Sequence, residues 1–109
     1  MIKIVMLRQN GTTQGFTCGG HAGYAEEGSD IVCSAISALT MATVNGLTEA
    51  AGIDAAVNDD GKTLSCILPK QLSKQQAHDA QLLLDTFEMG VSEIRKDYKP
   101  YLKILDREV

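Results

Sequence analysis

His21 and Cys33 are the residues of this sequence whose types and spacing could carry chemistry. They flank a loop punctuated by Gly23 and Gly28, and Ser29 or Asp30 can cap a helix in which Cys33 falls in the first turn. A thiol at that position sits among backbone N–H groups without intrahelical partners, at the positive end of the helix dipole, which favours thiolate. An imidazole brought up by the loop can take its proton or pair with it. Each residue alone has an ordinary reading. Free cysteines mostly serve as small buried hydrophobes, and a histidine beside a glycine turn is mostly solvated. The pairing of a strand-end histidine with a helix-start cysteine argues for a catalytic dyad.

The neighbours sharpen this picture. With Asp30 as N-cap, Cys33 occupies the third helical position and Ser37 lies one turn further on the same face. Asp30 has two possible roles, capping the helix or orienting His21, and the cap is the role expected here. Glycines at Gly20, Gly23 and Gly28 are expected to make residues 22–29 mobile, with Tyr24 placed to cover apolar substrate side chains. Cys18 and Cys66 alternate with Phe16 and with Leu64 and Leu68, so both are expected in the core. Cys18, His21, Cys33 and Cys66 form an alternative zinc set, but only one pair has ligand spacing. No metal or cofactor is therefore expected. His78, on the polar side of its helix, receives no role.

The elements that must hold His21 and Cys33 follow from periodicity and turn residues. Residues 2–8 read as a strand, Asn10-Gly11 as a hairpin turn, and 13–20 as a second strand weakened by Gly15, Gly19 and Gly20. The helix after the loop runs through Ile31, Ala35, Ala38, Leu39, Ala42 and Leu47, with Gly46 weakening its end and Gly52 as its stop. Its small residues Ala35, Ala38 and Ala42 are expected to let it lie close to a sheet. Residues 55–58 and 63–68 flank Asp59-Asp60-Gly61 as a second hairpin, ended by Pro69. Ser73-Lys74-Gln75-Gln76 fits a capping box, and Ala77, Ala80, Leu84, Phe87, Val91, Ile94 and Tyr98 recur at helical spacing. Pro100 ends that pattern and residues 101–105 alternate as a last strand. The order ββαββαβ predicts an α+β fold, with two helices on a mostly antiparallel sheet.

At 109 residues the chain is expected to be a single domain, 1–109, burying roughly two thirds of its unfolded surface without disulfides or metal. Its net charge of -4 and the absence of a Lys/Arg block argue against direct nucleic-acid binding and leave a basic protein as the natural partner. The apolar start is too short for a signal peptide, no later run is expected to reach transmembrane length, and the three cysteines are not closely paired. A cytoplasmic location, with no membrane partner, is expected.

Gly20-His21-Ala22 followed by Gly28-x-Asp30-Ile31-Val32-Cys33-Ser34-Ala35-Ile36-Ser37 resembles the signature of the ribosomal-processing cysteine proteases, the Prp or YsxB-like family. The resemblance extends over nearly the whole chain, through Met89-Gly90 in the second helix and the Tyr98-Lys99-Pro100-Tyr101 junction. It implies an endopeptidase that removes the short N-terminal extension of a large-subunit ribosomal protein, cutting after aromatic residues. It also implies His21 and Cys33 as the catalytic pair, Asp30 and Ser37 as polar neighbours, and a homodimer. The expected chemistry is thiolate attack by Cys33, leaving-amine protonation by His21, and an oxyanion held by backbone N–H groups at the helix start. Two rival readings are a ribosome-assembly binding module without chemistry and a small zinc-stabilised domain.

Overall fold

The computed structural model describes residues 1–21, 23 and 30–109. Strands β1 (Ile2–Gln9) and β2 (Thr12–Gly20) form a hairpin, and helix α1 (Ile31–Asn45) follows. Strands β3 (Ala56–Asp59) and β4 (Thr63–Ile67) form a second hairpin, then come helix α2 (Lys74–Asp97) and strand β5 (Leu102–Glu108). The sheet order is β3-β4-β2-β1-β5, antiparallel throughout except for the parallel pair β1/β5. This is the mostly antiparallel α+β arrangement expected from the sequence.

The first hairpin turns on Asn10 (φ 52°) and Gly11 (φ 79°), the paired left-handed conformations that suit a two-residue connection. The register of β1 on β2 slips between Leu7 and Arg8, leaving Gln14 as a bulge whose carbonyl accepts from Leu68 N–H at 2.8 Å. Gly15 beside it is required by close approach, because a Cβ there would run into the Cys66 carbonyl. The sequence-predicted capping box is present in full: Gln76 N–H donates to Ser73 Oγ at 3.0 Å and Ser73 N–H to Gln76 Oε1 at 3.1 Å.

Period-2 alternation puts Ile2, Ile4, Met6, Phe16, Cys66 and Leu102 on one face of the sheet, where they meet Val32, Ile36 and Val44 of α1 and Ala80, Leu84, Phe87 and Val91 of α2. Both helices therefore cover the same face. Phe16 and Phe87 stack with ring centroids 4.3 Å apart. The helices also interlock, since a Cβ on Gly46 would crowd Leu83 and one on Gly90 would crowd Leu39, both at 3.2 Å. Arg8 ties the layers at the far end, bridging Glu88 of α2 at 2.6 Å and Asp106 of β5 at 2.9 Å.

Two expectations about α1 are corrected. The face it presents to the sheet is Val32, Ile36, Thr40, Thr43, Val44 and Leu47, whereas Ala38 and Ala42 are exposed. Branched side chains rather than alanines fill the interface, because larger groups bury more apolar area per position. The second is length: helical structure runs on to near the expected stop at Gly52, through a π-helical turn, Gly46–Ala50, and so reaches a length not expected of any later run. The resulting Ile31–Ala50 is 20 residues long with hydropathy 1.5, enough by length and composition to cross a membrane. No charged residue falls between Asp30 and Glu49, and small residues keep the average high. One stripe of this helix is part of the core.

Candidate active site

Strand β2 delivers His21 through two glycines. Gly20 has φ 86°, and a Cβ on it would strike the Met1 carbonyl, so only glycine lets the chain leave the strand in this direction. Its N–H points to the Lys62 carbonyl at 3.4 Å, which joins the strand end to the second hairpin. That hairpin is held by its own aspartates. Asp59 Oδ1 accepts from Gly61 N–H, and Asp60 Oδ1 accepts from Lys62 and Thr63 N–H at 2.8 and 2.7 Å. The Thr63 and Lys62 amides hold the Asp60 carboxyl below its ordinary value.

Asp30 is the N-cap of α1, with extended backbone. Val32 and Cys33 N–H donate to its Oδ1 at 2.9 and 3.1 Å, and Ser34 N–H donates to its carbonyl at 3.1 Å. Oδ2 lies 3.7 Å from His21 Nδ1. The Asp30 side chain is 1% exposed and that of His21 44%, so the carboxylate is fixed in the protein while the imidazole fronts solvent. Gly23 N–H also donates to His21 Nδ1, at 3.3 Å. One ligand-type atom from each of His21, Asp30 and Cys33 lies within 4.8 Å of the others. Asp30 thus caps α1 through Oδ1 and faces His21 with Oδ2.

The same cap revises the expected oxyanion site. The Val32 and Cys33 N–H groups are already held by the Asp30 carboxylate, and that of Ser34 makes the ordinary helical bond to the Asp30 carbonyl. Ile31 N–H is the one left without a partner among the described residues.

Cys33 and Ser37 share the wall of a cleft of about 220 Å³. Ile36, Thr40 and Met41 continue that wall along α1, Ile2, Cys18 and Leu64 form apolar floor, and Gly19, Gly20, Asp59, Gly61 and Lys62 close the opposite side. Ser37 is exposed and its hydroxyl makes no hydrogen bond among the described residues. Cys66 is core as expected, but Cys18 is half-buried and faces the cleft next to Cys33. Burial pushes the Cys18 thiol up, partly offset by the Thr40 hydroxyl; burial alone pushes Cys66 up. The hairpin 59–62 was legible as a turn, yet nothing in its sequence signals that it faces Cys33.

The four-residue zinc set is not assembled. Among the described residues the one cluster with metal-ligand spacing is His21, Asp30 and Cys33, which lacks both Cys18 and Cys66. Of the loop residues, Gly20 and Gly23 both have positive φ, while Tyr24 and Gly28 lie outside the described residues.

An α+β layer pair with a thiol at a helix start, an imidazole at a strand end and a buried carboxylate between them has the layout of a thiol hydrolase. The family model for cysteine protease Prp matches residues 1–103, and the chain belongs to that family of cysteine proteases. It is 31% identical over 91 residues to the ribosomal processing cysteine protease Prp of Bacillus subtilis, covering 82% of this chain and 81% of that protein. The crystal structure of SMU.848 from Streptococcus mutans superposes with a TM-score of 0.83 at 27% identity, covering 100% of this chain and 96% of that one. The essential ribosomal processing protease Prp from S. aureus, solved with a covalently linked product peptide, gives a TM-score of 0.86 at 24% identity over 98% of this chain and 100% of that one.

Proposed function

We propose that this chain, as a single protease domain spanning residues 1–109, removes the short N-terminal extension of a large-subunit ribosomal protein by cutting after aromatic residues. The observation that carries the reading is the gathering of His21, Asp30 and Cys33 within 4.8 Å at the mouth of a cleft, in a chain of the Prp family. Cys33 attacks the scissile carbonyl as thiolate, and His21, in imidazolium form, protonates the leaving amine. His21 then acts as base for the water that releases the acyl-enzyme. Asp30 positions both partners, steadying the helix turn beneath the thiol through Oδ1 and facing the imidazole with Oδ2. Ser37 lines the cleft beyond Cys33 and supplies a hydroxyl to bound peptide. Ile31 N–H is the first-turn donor left to help hold the oxyanion.

The substrate is a peptide with aromatic side chains, which the apolar floor of Ile2, Ile36 and Leu64 suits. The protein acts in the cytoplasm as a homodimer, for which the exposed Ile31, Ala38 and Ala42 of α1 are a fitting contact surface. Intact-mass measurement of an extended large-subunit ribosomal protein, incubated with purified protein, tests the reading. Loss of the extension after an aromatic residue is expected, and its persistence, or processing that survives Cys33→Ala, overturns it.

A further inference from the structure

The helices leave the other face of the sheet uncovered, and its charge is one-sided. Strand alternation and register place Lys3 beside Lys103, Val5 beside Leu105 and Leu7 beside Arg107 on that face, with Thr17 and Ser65 continuing across β2 and β4. Lys3, Lys103 and Arg107 are exposed, and none of their side chains makes an ion pair or hydrogen bond among the described residues. No Asp or Glu of any strand points to this face. Asp59, Asp106 and Glu108 all share the face of Leu64, Met6 and Arg8, on the helix side. A chain of net charge -4 thus carries a three-cation surface free of strand carboxylates. A depression of about 360 Å³ sits in it, lined by Lys3, Arg107, Thr17, Thr63 and the glycines Gly19 and Gly20, which also edge the thiol cleft on the sheet's other side.

We infer that this face docks on the phosphate backbone of RNA, so that the protease engages its protein substrate beside ribosomal RNA. Ammonium, guanidinium and hydroxyl groups over a glycine floor are the groups that position phosphates. Among the described residues the strands place no aromatic side chain on this face for base stacking, so binding is independent of sequence. A lipid surface is disfavoured because Val5 and Leu7 are 4% and 7% exposed and Leu105 is half-buried, which leaves little apolar area on the strands to insert. A second copy seated on the same face would oppose like charges. The choice of RNA over other polyanions rests on the ribosomal-processing reading above.

The test uses the full chain and a short fluorescein-labelled single-stranded RNA, followed by anisotropy across a salt series. Three phosphate contacts predict a log–log salt slope of about -2, and the triple substitution K3Q/K103Q/R107Q is expected to weaken binding about tenfold or more at low salt. The same variant should cut an isolated extension peptide at the wild-type rate, a readout that separates this inference from the peptidase reading. Failure of wild type to cut the peptide counts against the peptidase reading alone. RNA binding that is absent, or that survives the triple substitution, overturns the inference. So does equal or tighter binding to phosphatidylserine vesicles or to polyglutamate.

Discussion

Asp30 Oδ2 stands 3.7 Å from His21 Nδ1 while Oδ1 of the same carboxylate holds the N–H groups of Val32 and Cys33. A single buried side chain therefore links the strand end that carries the imidazole to the helix turn that carries the thiol. The two contacts use different oxygens, so what each does can be separated by substitution. Gly23 N–H shares His21 Nδ1, and donation from it fits only a nitrogen without its own proton. A proton on Nδ1 would instead be offered to Asp30 Oδ2, which faces the same nitrogen at 3.7 Å.

Asp30→Ala removes both oxygens and should destabilise the fold by about 0.5–2 kcal/mol, the range for a lost N-cap. Asp30→Asn keeps an acceptor for the cap and should melt close to wild type. It loses the charge facing His21, and cleavage should fall about a hundredfold, a typical general acid–base contribution. Thermal melts and a pH profile of peptide cleavage, measured on both variants, check this. A stable Asp30→Asn enzyme with wild-type rate and pH dependence would reject the His21 role and leave the cap alone.

Iodoacetamide near neutral pH should label Cys33 before Cys18 and Cys66. Burial pushes both of the latter thiols up, which leaves little thiolate to react, while Cys33 fronts the cleft at a helix start. Peptide mapping of a labelling time course gives the order. Cys18 is the instructive competitor because it opens on the same cleft, and labelling of Cys18 ahead of Cys33 would contradict the assignment of the nucleophile.

Gly20→Ala should destabilise by on the order of 1–3 kcal/mol, since it forces a β-carbon into a left-handed backbone position against the Met1 carbonyl. The strand end would have to shift, taking His21 with it, so cleavage should fall further than stability. Gly61→Ala makes a useful control. It has the same sign of φ but open space around the missing Cβ, and should perturb only the hairpin.

These residues also show what the sequence could and could not reveal. The Asn10-Gly11 turn, the capping box at Ser73 and the Ala80-to-Tyr98 stripe were legible because each is a local pattern with a local cause. Cys33 in a first helical turn was legible for the same reason. What escaped depends on long-range placement. Ala38 and Ala42 look like a packing stripe, but the sheet met the adjacent stripe of Val32, Ile36, Thr40 and Val44. Cys18 alternates like a core residue, yet its strand end opens on the cleft. Net charge is a sum, so it conceals that Lys3, Lys103 and Arg107 share one face.

The hairpin 59–62 forms the cleft wall facing Cys33, and its order is tied to one carboxylate. The Thr63 and Lys62 amides hold Asp60 below its ordinary value, against a smaller opposing effect of desolvation. A folded-state value lowered in this way contributes stability that is fully present above the ordinary carboxylate range. That contribution is lost as pH falls through the lowered folded value. Acidification should therefore loosen residues 59–62 at pH values below the ordinary carboxylate range, without needing to unfold the sheet. Asp60→Asn retains a side-chain acceptor but no titrating charge, so its hairpin should show a flatter response over that acid window. Hydrogen exchange at Lys62 and Thr63 N–H across the acid range measures it directly. Equal protection profiles in wild type and Asp60→Asn would mean that Asp60 does not set the hairpin's acid sensitivity.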